Sequence, residues 1–129
     1  MRNIEIVGIV TDYTTQRKEG KGITLPAAVA WTRRVNMEKL FSAKKLIDEA
    51  IQEIQQRYAD DEHSTETKDK SGNTVRSIKP EYLEEYYKAQ SDIMVQETDV
   101  EIKKVKVEDL GDIVLSDADM DTIAFMLGD

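Results

Sequence analysis

Between positions 37 and 58 apolar residues return every three or four places: Met37, Leu40, Ile47, Ile51, Ile54 and Tyr58, with Lys44 the one polar member of the series. A helix of about 3.6 residues per turn gathers such positions into one stripe, and a stripe of that length has to be covered by another element. The spacing therefore predicts a long helix over residues 25–58. Thr24 is expected to cap it, and Pro26 falls in its first turn, where a missing N–H is tolerated. Leu46 and Ala50 widen the stripe, while Asp48, Glu49, Gln52, Glu53, Gln55 and Gln56 suit the solvent side.

The other elements are read around that helix. Residues 3–11 crowd Ile4, Ile6, Val7, Ile9 and Val10 around Gly8 and are expected as a strand, because β-branched side chains suit a pleated surface. The stretch TTQRKEGKG that follows is polar and glycine-punctuated, and reads as a loop. Residues 60–79 read as a polar loop or a hairpin with Ser71, Gly72 and Asn73 at its tip. A helix is expected over 80–96, with Pro80 in its first turn, antiparallel to the long one. TDVEIKKVKVED switches to a strand pattern over 99–107, with a bulge near Lys103 and Lys104, and pairs with residues 3–11. The expectation is an α+β fold: a helical hairpin, a small two-stranded sheet joining the N- and C-terminal segments, and a short closing helix over 117–127. One domain spans 1–129.

The charge balance narrows the partners. Eighteen Lys and Arg against 26 Asp and Glu leave a formal net charge of -8, which opposes direct nucleic-acid binding and attraction to anionic membranes. A protein partner, and a homo-oligomer built on the apolar stripe, are the expected associations. With no cysteine, there is no disulfide, thiolate nucleophile or Cys-based zinc site. No run approaches the roughly 18 apolar residues of a membrane span, so a soluble, unexported protein is expected.

Few residues invite chemistry. LSDADMDTIAFMLGD carries Asp117, Asp119 and Asp121 at alternate positions, but a calcium loop counted from Asp117 needs glycine and glutamate where Thr122 and Gly128 stand. A helix start explains the same residues, with Ser116 as cap, Leu115 stapled to Met120, and Gly128 able to end the helix. His63, the single histidine, lies in polar sequence and reads as a solvated residue. From residue 17 to residue 34 the charge reverses: Arg17, Lys18, Lys21, Arg33 and Arg34 meet only Glu19. Glycines 20 and 22 precede a helix start, where backbone N–H groups can receive an anion, although a loop with ordinary surface charges accounts for them too. Trp31 reads either as a partner anchor or as core. Tyr58, Tyr82, Tyr86 and Tyr87 either line a groove for a planar ligand or form a helix interface with wet hydroxyls. No metal, cofactor or catalytic set is expected.

Four blocks in order, LPAAVAWTRRVN, the helical run into QQRYADDE, VEIKKVKVEDLGD and LSDADMDTIAFML, resemble a family of small proteins of unknown function encoded by tailed bacteriophages and prophages, chiefly of Gram-positive hosts. The resemblance covers about residues 23–129. It implies a viral protein working in the cytoplasm of an infected bacterium, and it carries over no catalytic residues. The leading expectation is a non-enzymatic accessory protein that binds a host or phage protein, as an anti-defence inhibitor would. Alternatives are a small-molecule binder that sequesters a nucleotide-like immune signal, with Arg17, Lys18, Lys21, Arg33 or Arg34 on phosphate, and a virion or assembly component.

Overall fold

A computed structural model describes residues 1–128 as an α+β chain. In order come helix α1 (Asn3–Lys18), helix α2 (Ala27–Arg57), strands β1 (Ser64–Lys68) and β2 (Thr74–Ile78), helix α3 (Pro80–Val95), a 3-10 turn (Val107–Leu110), helix α4 (Asp117–Ile123) and a second 3-10 turn (Ala124–Met126). The sequence reading treats the chain as one domain; its contacts gather into two compact units. Unit 1 is Met1–Lys44 plus the segment from Glu97 onward, and unit 2 is Lys45–Gln96.

In unit 1 the expected strand over 3–11 is a helix that runs on through much of the expected loop. Asn3, Ile6 and Val10 are buried at spacings of three and four, the signature of one helical face. Each β-branched residue costs only a few tenths of a kcal/mol in a helix, which packing of that face readily overrides. The helix ends where Gly20 takes φ 69°: Gly20 N donates to Arg17 O and Lys21 N to Gln16 O, the double closure of a Schellman turn. The basic residues Arg17 and Lys18 thus sit in the last turn, where the helix dipole favours cations.

The expected strand over 99–107 is likewise corrected. Its pairing partner is helical, so no terminal sheet forms; what survives is one antiparallel bridge, Arg2 with Glu97, and one parallel bridge, Val105 with Leu127. A side chain replaces the missing ladder. Buried Asn36 of α2 donates from Nδ2 to Lys103 O at 2.9 Å, and its Oδ1 accepts from Lys103 N at 2.9 Å, so one amide satisfies both backbone groups. Val29 joins Val105, Leu110, Ile123 and Met126 in a core onto which Ile23 and Leu25 pack, fixing the connection before α2.

The long helix starts at Ala27, after Pro26, whose carbonyl accepts from Ala30 N; Thr24 stands three residues earlier and is not its cap. Along the stripe Met37, Leu40, Ile47, Ile54 and Tyr58 are buried, with Lys44 and Ile51 half-buried. Leu46 does not widen it, being 66% exposed. Ser116 caps α4 as its Oγ accepts from Asp119 N at 3.1 Å. The helix then tightens into a 3-10 turn, and Gly128 N donates to Val105 O; it is this bridge, not a left-handed glycine, that finishes the element.

Unit 2 holds the antiparallel hairpin, in register Glu66 with Arg76. Its tip is tied by Asp69, whose carboxylate accepts from Ser71 N and Asn73 N, and by Gly72 at φ 80°. Helix α3 follows the sheet and has no fully buried residue; Tyr86 meets Tyr58 edge-on at 5.4 Å between ring centres.

Candidate functional site: a basic cleft between α1 and α2

The helical character of α1 decides where the positive charges of residues 17–34 go. Tyr13 and Arg17, one turn apart on α1, face Arg33 of α2. The Arg33 guanidinium carbon lies 4.8 Å from the Tyr13 ring centre and that of Arg17 lies 5.5 Å from it. Arg17 Nη1 donates to Tyr13 Oη at 2.7 Å, and Arg33 Nη2 donates to Gln16 Oε1 at a long 3.4 Å. The tyrosine ring thus attracts both guanidinium groups, Arg17 also through its hydroxyl.

Neither guanidinium has a carboxylate partner among the described residues. Lys21, His63 and Arg76 lie in ion pairs, whereas Arg17, Arg33 and Arg34 lie in none among the described residues. Arg33 is only 9% exposed, and its Nε, sealed from solvent, has no hydrogen-bond partner. Burial, opposed by the Tyr13 hydroxyl and reinforced by Arg17, holds its pKa below the ordinary guanidinium value. An unpaired buried charge is costly, so the arrangement is electrostatically incomplete.

Two hollows open on this pair of helices. The first, about 670 Å³, is lined by Arg17, Arg33 and Arg34, by Trp31, and by the aliphatic groups of Ile23 and Leu25. Trp31 is 66% exposed, so it is not part of the core. Ala27, the first residue of α2, also lines it, where first-turn N–H groups lack intrahelical acceptors. The second hollow, about 770 Å³, shares Tyr13, Arg17 and Arg34 and adds Lys18, Glu38 and Phe41. Lys21 lines neither and lies 3.6 Å from Glu19.

The tyrosines expected with this site belong to unit 2. His63 is not a solvated loop residue: its Nδ1 lies 2.6 Å from Asp60 Oδ1, and its ring meets Tyr58 and Tyr82 edge-on at 5.1 and 4.6 Å. Tyr86 in turn contacts Tyr87 at 5.6 Å, so Tyr82 and Tyr86 join Tyr58 and His63 in an aromatic chain that ends on the exposed Tyr87. Burial first, then Glu85, pushes the Tyr58 hydroxyl up; burial, then Glu62, does the same for Tyr82. Asp60, Glu62 and His63 are the one group of potential metal-ligating atoms that converges among the described residues, whereas the terminal aspartates do not. The hydrogen bond from His63 holds the Asp60 carboxyl below its usual range.

Sequence reasoning named Arg17, Lys18, Trp31, Arg33 and Arg34 but missed Tyr13, Glu38 and Phe41. The signal was present: Tyr13 stands four residues before Arg17, and Trp31, Arg34, Glu38 and Phe41 recur at helical spacing. No family model, curated protein or solved structure matches this chain.

Proposed function

We propose that the protein is a non-catalytic binder that captures a phosphate-bearing small molecule in the cleft between α1 and α2. One observation carries the reading: Arg17, Arg33 and Arg34 surround a hollow beside an exposed indole, with no carboxylate partner among the described residues. In a chain of net charge -8, carboxylates abound, and a ligand anion would supply the compensation that the fold leaves out. Arg17 and Arg34 are exposed and would contact the anion, while Arg33 with its sealed Nε contributes field. Guanidinium, ring and aliphatic groups suit binding better than bond chemistry. In the infected bacterium implied by the sequence resemblance, such a protein would withhold a nucleotide-like signal from its receptor.

Thermal-shift titration tests the reading. Inorganic pyrophosphate and nucleotides should raise the melting temperature by mass action, and the Arg17→Ala/Arg34→Ala double variant, folded by circular dichroism, should lose the rise. Unchanged melting across phosphate compounds would sink it.

A second reading, contact with a protein partner or a second copy, draws on Leu46 at 66% and Tyr87 at 59% exposure. Light scattering with Leu46→Glu tests it; a monomer in both forms counts against self-association.

A further inference from the structure

The two hollows are not equivalent, and their difference specifies more than a phosphate. They share Tyr13, Arg17 and Arg34; beyond that wall the first ends on Trp31 and the second on Phe41, which is 41% exposed and meets Tyr13 edge-on at 5.9 Å. The site is therefore a cationic centre flanked by two aromatic platforms. Trp31, Arg34, Glu38 and Phe41 stand at i, i+3, i+7 and i+10 on one face of α2, and a rise of 1.5 Å per residue sets the Cα atoms of Trp31 and Phe41 about 15 Å apart along the axis. One base with its phosphate covers one platform and the arginine level, and leaves the other ring bare.

Glu38 sharpens the second hollow. A carboxylate there repels phosphate, yet it accepts hydrogen bonds from the edge of a base that carries N–H donors. Guanine offers two such donors side by side, its ring N–H and its exocyclic amine, in the paired geometry a carboxylate accepts. Base stacking on exposed aromatic rings adds to this and tolerates either purine.

Building on the anion-binding reading, we infer that the ligand is a free dinucleotide: one base on Trp31, the linking phosphate on Arg17 and Arg34, and a guanine on Phe41 and Glu38. The net charge of -8 disfavours a long polyanion and favours a compact ligand.

Calorimetric titration of the full chain with four probes decides the matter: inorganic pyrophosphate, GMP, the linear dinucleotide pGpG, and the octanucleotide UUUGGUUU. Binding of pGpG at one per chain, about tenfold or more tighter than GMP, is expected from the second stacked base. Phe41→Ala should bring pGpG back to the GMP level. Because Phe41 also touches Tyr13, Glu38→Gln serves as the gentler variant: pGpG weakens several-fold while the melting temperature of the free protein holds. Equal affinity for GMP and pGpG, or pyrophosphate binding with no nucleotide binding, overturns the two-platform inference and leaves the anion reading standing. An octanucleotide bound as tightly as pGpG overturns the free dinucleotide in favour of a strand. Silence from all four overturns both.

Discussion

Arg76 in unit 2 and Arg33 in unit 1 are two arginines treated in opposite ways. Arg76 lies at the centre of the hairpin, donating to Ser64 Oγ at 2.7 Å, to Asp61 at 3.0 Å and to Glu66 at 3.1 Å; hydrogen bonding to Asp61 first of all holds its pKa up. Arg33 is more deeply buried, yet has a neutral amide at 3.4 Å, a ring face and an unmatched Nε. The hairpin needs Arg76 because both strands are exposed along nearly their whole length, so cross-strand side-chain contacts must supply what a core would. Arg33 reaches α1 only through that long bond and the Tyr13 ring, and no carboxylate answers its charge among the described residues. A charge kept where it costs stability is most simply a charge kept for something outside the chain.

The contrast depends on unit 1 being strict elsewhere about polar satisfaction, and Asn36 is the place to break it. Asn36→Leu would leave the part-buried N–H and C=O of Lys103 without their side-chain partner, a loss of about 1–3 kcal/mol by chemical denaturation. A change under about 0.5 kcal/mol would mean that unmatched groups are cheap in this unit, and Arg33 would cease to be an exception. Next in size, Arg33→Met should stabilise the free protein by about 1 kcal/mol, since the aliphatic stem is kept and the lone charge is gone. The same variant should lose much of its response to pyrophosphate. Arg76→Met should move the melting temperature the other way, downward, and the drop should shrink at high salt because Asp61 and Glu66 are exposed.

The smallest effect is in acid. A carboxyl held below its ordinary range contributes stability that is present above the unfolded-state value and is lost as pH falls through the lowered one. Asp60→Asn should therefore be slightly less stable than the parent at neutral pH and converge with it in acid. A difference that grows as pH falls would show that the His63 hydrogen bond is not what depresses Asp60.

How much of this was legible beforehand depends on the range of the forces involved. The long helix was readable because Met37 to Tyr58 repeat one local rule many times, and the Ser116 cap because capping is confined to four residues. Helix α1 carries two competing local signals, β-branched content that favours a strand and the three–four spacing of Asn3, Ile6 and Val10 that favours a helix, and packing decides for the second. The site depends on that outcome: only a helix through residues 13–17 puts Tyr13 and Arg17 on one face against Arg33. The Asn36 clamp spans 67 positions, and no local pattern announces it. The basic residues were identified by charge; what gathers them is tertiary.

The one-bridge attachment of the segment around Val105 has a bearing on solution behaviour. VEIKKVKV keeps the composition of a strand while pairing with regular backbone at a single residue, the kind of half-used edge onto which another chain can add. Lys103, Lys104 and Lys106 are all exposed there, and Lys104 reaches across to the Phe125 carbonyl at 2.6 Å. Charged side chains on such an edge disfavour strand addition, so replacing the three lysines by glutamine is expected to increase self-association, as light scattering would register.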